Sequence, residues 1–116
     1  MNYATAVMRT TEGFNNRAGA YVTNEILDAS PQKLIMKIYD FAILQCKNEN
    51  LEKTNKALTE LINALRFDTK EVAEISIGLK KLYEFCQDQM RKKNHDIVLQ
   101  ILIELRETWN KVFATL

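Results

Sequence analysis

Glycine and proline, the two residues that most often interrupt helices, are nearly absent from the second part of this chain. The 116 residues include three glycines and one proline, and only Gly78 follows Pro31. Proline removes a helix hydrogen-bond donor and glycine costs backbone entropy, so long stretches without them can continue as helices. The first thirty residues hold the other two glycines and many Asn and Thr residues, which indicates an irregular N-terminal arm.

Helical spacing of apolar residues predicts four helices after the arm, and strand-like alternation does not appear. Ser30 suits an N-cap and Pro31 a first helical position, while Asn50 is a plausible cap for the second helix. Because the connections are short, consecutive helices should be antiparallel. We therefore expect an all-α, antiparallel four-helix bundle over residues 30–116, preceded by the irregular arm over residues 1–29. The helices are predicted over about residues 31–47, 51–67, 70–92 and 97–114.

Composition and charge exclude several classes of function. A net charge of +1 gives no strong field to attract nucleic acid or an anionic membrane. No stretch approaches the roughly 20 apolar residues that a membrane span needs. The start of the sequence lacks a basic segment followed by an apolar core, so we expect no secretory signal and a cytoplasmic protein. Cys46 and Cys86 lie within apolar helical patterns and are predicted to be buried free thiols.

Nothing in the sequence has the pattern of a catalytic or metal site. One histidine and two separated cysteines do not form a metal-ligand set, and no cofactor is expected. Glycine-rich phosphate loops, His-Glu metal motifs and serine elbows are all missing, so we expect no enzyme. A histidine phosphotransfer domain would also be a helical bundle, but it needs an exposed histidine in mid-helix. Here His95 falls in a predicted turn beside Asp96, which would repel a phosphate.

Two of the predicted helices are more apolar than a four-helix bundle requires. A bundle helix needs about three apolar positions in seven. The first and fourth helices exceed this and leave only a narrow polar stripe, which is Lys33, Lys37, Asp40 and Lys47 in the first helix. The surplus apolar surface must be covered by the arm, by a second copy or by a partner. Grooves between helices accept amphipathic helices well, so we favour a partner protein.

Three segments of the chain form a pattern by their order and spacing. The first contains Ala20-Tyr21, Ala29-Ser30-Pro31, Leu34 and Ile38-Tyr39-Asp40. The second is Leu82-Tyr83-Glu84-Phe85 in the third helix, and the third is Leu105-Arg106-Glu107-Thr108-Trp109 near the end of the chain. Together they are similar to the flagellar secretion chaperones of the FliS family, and the third segment matches the usual ending of that family. The resemblance covers roughly residues 20–113. The chain departs from the family pattern at Phe41, where a small residue is usual, and at Val72-Ala73, near which many members have paired glycines.

The resemblance implies a function and a partner. Chaperones of this family bind the disordered C-terminal segment of flagellin, which wraps around the bundle and becomes helical in places. Binding prevents premature polymerisation and keeps flagellin competent for type III export. Export-gate or regulatory proteins, and a second copy of the chain, are left open as further partners. A helical adaptor for another partner has the same sequence features and remains the alternative.

Two sets of residues are predicted to form the binding site. Partner-binding residues are expected in the arm and on the first and fourth helices, and these are Tyr21, Ile26, Leu27, Ile35, Ile38, Tyr39, Ile43, Ile101 and Leu105. In the family the arm can lie over the binding surface when the partner is absent. On this basis Tyr3, Val7 and Met8 are predicted to form a removable cover.

Overall fold

Four consecutive helices make up the part of the protein that the structure describes. A computed structural model describes residues 31–115. Its helices are α1 (Pro31–Lys47), α2 (Leu51–Asn63), α3 (Lys70–Arg91) and α4 (His95–Ala114). Residues 31–115 contain no strand, and the predicted all-α four-helix bundle is confirmed for them. The arm predicted for residues 1–29 lies outside the described residues.

The helices run antiparallel and each packs against the next, with α4 returning to α1. Cys46, near the end of α1, contacts the backbone of His95 at the start of α4. Likewise Asn55, early in α2, is hydrogen-bonded to Gln87, late in α3. The loosest of the four neighbouring pairs is α3 with α4. This leaves part of the apolar surface of these two helices without a neighbour in the bundle.

Two of the three connections are the same tight turn. In residues 48–50 and 92–94, Glu49 and Lys93 adopt positive φ angles of 56° and 62°. The next amide in each turn reaches back to a helix carbonyl, from Asn50 to Gln45 and from Asn94 to Gln89, at 2.9 Å in both cases. This pattern is a Schellman motif, which satisfies helix carbonyls at a C-terminus. The two turns therefore fold α1–α2 and α3–α4 into hairpins at one end of the bundle.

The second helix ends earlier than the apolar pattern predicts. It stops at Asn63 rather than near Phe67, although Leu65 still lies in the core. Arg66 Nη2 lies 2.7 Å from Asp68 Oδ2, and this pairing of residues two apart does not form along a helix. Asp68 is followed by Thr69, whose hydroxyl accepts from the Val72 amide at 3.3 Å and caps α3. The connection to α3 is thus longer than expected.

The fourth helix begins at His95, slightly before the predicted start near Ile97. His95 was expected in a turn, but the Schellman motif closes the turn at Asn94. Asn50 caps α2 as the sequence predicts, because its Oδ1 accepts a hydrogen bond from the Lys53 amide at 2.9 Å. The predicted cap Ser30 lies outside the described residues. The ends of α1, α3 and α4 lie within a residue or two of the predictions.

All four helices contribute to one apolar core. Ile38, Leu58, Val98 and Leu102 are fully buried, and Cys46, Cys86 and Met90 place their sulfur atoms in the same core. Both cysteines are free and buried, as the sequence predicts. The Cys46 thiol lies 3.8 Å from Met90 Sδ. Burial raises the pKa of Cys46, and raises that of Cys86 to about 11, so both thiols are protonated at neutral pH.

Candidate functional site

The structure divides the predicted partner-binding residues into three groups. Tyr21, Ile26 and Leu27 lie outside the described residues, as do the predicted cover residues Tyr3, Val7 and Met8. The second group, Ile35, Ile38 and Tyr39, is buried in the core. The third group, Ile43, Ile101 and Leu105, is half-buried and packs against the core with one side. Only the third group offers described surface to a partner.

Tyr39 is buried, and its hydroxyl group is hydrogen-bonded to residues of two other helices. The hydroxyl lies 2.6 Å from that of Tyr83 on α3 and accepts a hydrogen bond from Trp109 Nε1 on α4 at 3.1 Å. Burial is the largest cause that raises the pKa of Tyr39, and it raises the pKa of Tyr83 to about 12. Both phenols therefore stay neutral and hold three helices together. Tyr83 was not among the predicted site residues, although its helical register from Val72 and Ser76 indicates a core position.

The two sides of α4 face different helices. Arg106 forms an ion pair with Asp40 of α1, and Trp109 contacts Tyr39 of the same helix, so these residues mark the α1 side. With about 100° of rotation per residue, Ile101 and Leu105 lie on the other side, toward α3. Because Ile97 precedes them by one turn, the three residues form a continuous apolar row.

The side of α3 that faces α4 is fixed in the same way. Gln87 donates hydrogen bonds to the Asn55 carbonyl and to the Thr59 hydroxyl, which places Gln87 on the α2 side. The helical register then places Ile75, Leu82 and Phe85 on the opposite side, next to α4. Together with the row on α4 these residues form an apolar surface, which we call the α3–α4 strip. It consists of Ile75, Leu79, Leu82, Phe85, Ile97, Ile101 and Leu105.

The side chains of the α3–α4 strip are more exposed than side chains that pack only in the core. Phe85 and Ile97 each keep 41% of their surface exposed, and the other members are half-buried. A contiguous exposed patch of large apolar side chains is typical of a protein interaction site. Neither Phe85 nor Leu82 was among the predicted partner residues. The signal for them is the third-helix motif Leu82-Tyr83-Glu84-Phe85, in which Tyr83 turns inward and its neighbours turn outward.

The α1 side of α4 carries a second apolar surface. Leu99 and Ile103 line a shallow cleft of about 360 Å³ together with Asp96, Gln100 and Glu104. A further cleft of about 430 Å³ lies between the start of α1 and the end of α4, beside Met36 and Phe113. Ile103 is 43% exposed. The fourth helix therefore presents apolar residues on both sides, as its sequence predicts.

The end of the bundle that holds the two Schellman turns contains an open cavity. It measures about 750 Å³, and Cys46, Lys47, Lys93 and His95 are among its lining residues. His95 Nδ1 lies 3.6 Å from a carboxylate oxygen of Glu49. In residues 31–115 no group of three His, Cys, Asp or Glu side chains could hold a metal ion. Asp40 and Glu84 are exposed, and Asp40 forms an ion pair with Arg106.

Within residues 31–115, no helix combines the length and the apolar character that crossing a membrane would require.

Fold and surface together define an antiparallel helical bundle with exposed apolar surface on both sides of one helix, a form suited to binding another polypeptide. The sequence matches the family model of the flagellar protein FliS over residues 14–116. This match covers most of the chain, which therefore belongs to the FliS family of flagellar export chaperones. Searches of curated proteins and of solved structures gave no match. The family resemblance inferred from the three sequence segments is confirmed.

Proposed function

We propose that this protein binds the disordered C-terminal segment of flagellin in the cytoplasm, prevents its premature polymerisation and keeps it competent for export. The observation that supports this is the apolar surface on both sides of α4, where Ile97 and Ile103 are more than 40% exposed. A disordered segment that folds on binding loses conformational entropy, so it needs a large apolar surface to offset that cost. The surplus apolar residues of α4 supply such a surface.

The α3–α4 strip is the surface on which we propose that part of the flagellin segment docks as an amphipathic helix. Its two rows of large side chains run along neighbouring helices that pack loosely. A helix laid along them would bury the exposed faces of Phe85 and Ile97 and contact Ile101 and Leu105. Contacts of Ile35, Ile38 and Tyr39 with the partner remain predictions, since the core encloses these side chains in the structure. The cover formed by Tyr3, Val7 and Met8 also remains a prediction.

Titration of the full chain with the C-terminal segment of flagellin tests the proposed function. We expect one-to-one binding with a clearly negative heat-capacity change, because apolar surface is removed from water. Replacing Ile97 with Lys should weaken binding about tenfold or more, since a buried isoleucine contributes roughly 1.5–3 kcal/mol. Isothermal titration calorimetry at several temperatures measures both quantities.

Ile77 provides a matched control for this experiment. It is an exposed isoleucine on α3, 46% accessible, on the face turned away from α4. Ile77→Lys should therefore bind flagellin as the wild type does. Equal losses in both variants would contradict the strip as the docking surface. If the folded wild type did not bind at high micromolar concentration, flagellin would be the wrong partner and the helical adaptor would take its place.

A further inference from the structure

Gly78 is the one glycine among the described residues, and it stands in the middle of α3. A glycine in a helix interior destabilises the helix relative to alanine, because it loses more backbone entropy on folding. Nothing within residues 31–115 requires it, because a Cβ built at this position meets none of their atoms within 4 Å. Its φ is not positive either, so the backbone does not require glycine there.

The neighbours of Gly78 give the position a specific shape. Ile75, Gly78, Leu79 and Leu82 have the spacing i, i+3, i+4 and i+7, which is the set of four residues that receives one side chain of a packed helix. Three corners of this hole are large apolar residues of the α3–α4 strip. The fourth corner is Gly78, which has no side chain, so the hole is open on that side.

A second hole adjoins the first. Gly78, Lys81, Leu82 and Phe85 repeat the same spacing one turn along, and Phe85 is 41% exposed at its far corner. Gly78 belongs to both holes. Because it has no side chain, the two holes are continuous with each other at this position. A helix backbone can approach most closely where the facing residue is smallest.

We propose that Gly78 is a specificity-determining residue of the binding surface, and that it admits a large apolar side chain from the helical part of the flagellin segment. This inference rests on the proposed function, because it assigns the occupant of the α3–α4 strip. The occupant is an amphipathic helix that inserts a leucine-sized side chain between Ile75, Leu82 and Phe85. A larger residue at position 78 would exclude that side chain without disturbing the bundle.

Two substitutions in the full-length protein test the role of Gly78. Gly78→Ala should raise the melting temperature, because alanine favours the helix, and should weaken flagellin binding several-fold. Gly78→Leu fills the hole and should weaken binding about tenfold or more, because the added side chain overpacks the contact with the partner. A simultaneous gain in stability and loss of affinity in Gly78→Ala is not expected from a purely structural position.

Lys80→Leu is the control, because it places the same side chain on α3 at an exposed position outside the strip. It should bind as the wild type does. If the wild type binds and Gly78→Leu binds equally well, the inference about Gly78 is wrong while the proposed function stands. If the wild type does not bind flagellin, both fail. If sedimentation shows that Gly78→Leu abolishes a dimer and leaves flagellin affinity unchanged, the occupant is a second copy and the assignment to flagellin is overturned.

Discussion

Tyr39 links three helices through one hydroxyl group. It accepts a hydrogen bond from Trp109 of α4 and shares another with Tyr83 of α3, while its own ring belongs to α1. The Tyr83 hydroxyl and the Trp109 indole would each lose one partner in the core if Tyr39 lost its oxygen. Burial makes such losses costly, because a buried donor without an acceptor keeps its full desolvation penalty.

Phenylalanine substitutions should separate the roles of the two tyrosines. Tyr83→Phe removes one partner of Tyr39 and should lower the free energy of unfolding by about 1–2 kcal/mol. Tyr39→Phe removes a hydrogen bond from both Tyr83 and the Trp109 indole, so its cost should be larger, about 2–3 kcal/mol. Urea unfolding followed by the fluorescence of Trp109 measures both. If Tyr83→Phe cost as much as Tyr39→Phe, Tyr39 would not be the centre of the network.

Backbone hydrogen bonds in the turns that end α1 and α3 determine where the next helix begins. Each turn puts a charged residue, Glu49 or Lys93, in the left-handed region that glycine adopts most easily. The geometry is therefore imposed by the hairpin and not by the residue. The same strain is absent one residue earlier, where Lys92 has a φ of −85°.

Glycine at position 93 should stabilise the protein. Lys93→Gly removes the steric cost of a left-handed side chain, about 1–2 kcal/mol, and adds the smaller entropic cost of glycine. We expect a net gain of about 0.5–1 kcal/mol in the free energy of unfolding. Lys92→Gly removes the same charge at a residue with ordinary φ and should not stabilise. Chemical unfolding of both variants measures the difference, and an equal effect would show that charge rather than backbone strain is responsible.

At the scale of the whole molecule, the core holds four weakly acidic groups in their protonated form. Burial is the largest cause of the raised pKa of Cys46, Cys86, Tyr39 and Tyr83. In the unfolded chain these thiols and phenols would titrate near 9 and 10. The folded state therefore binds more protons than the unfolded state at alkaline pH. The contribution of these four groups to stability is fully present below about pH 9 and is lost as the pH rises toward 12.

Replacing one of these groups should change the pH dependence. Cys86→Ala removes a thiol whose pKa is about 11 in the folded protein, against 9.0 for the ordinary group. Between about pH 9 and pH 11, the free energy of unfolding of the variant should decrease less than that of the wild type, whatever its value at neutral pH. Urea unfolding across this range, under reducing conditions, gives the slope for each protein. An unchanged slope would mean that the Cys86 thiol titrates alike in both states.

Within residues 31–115, the helical class, the number of helices and most of their ends could be predicted from the sequence. These features depend on local chemistry: the distribution of glycine and proline, the caps at Asn50 and Thr69, and the 3.6-residue period of apolar side chains. The excess of apolar residues in α4 was also visible in the sequence. It predicted surface for another chain because one helix cannot bury its whole circumference inside a four-helix bundle.

Which apolar residues remain accessible depends on how the helices pack, and local sequence patterns do not show this. Ile38 and Ile97 are the same amino acid in equally apolar helices, yet one is fully buried and the other is 41% exposed. The difference arises because the rotation of each helix is set by contacts between distant residues, such as the bond from Trp109 to Tyr39 and those from Gln87 to α2. The early end of α2 has a similar origin, since the Arg66–Asp68 pair replaces a final helical turn. The open corner at Gly78 likewise becomes visible only when the positions of the surrounding helices are known.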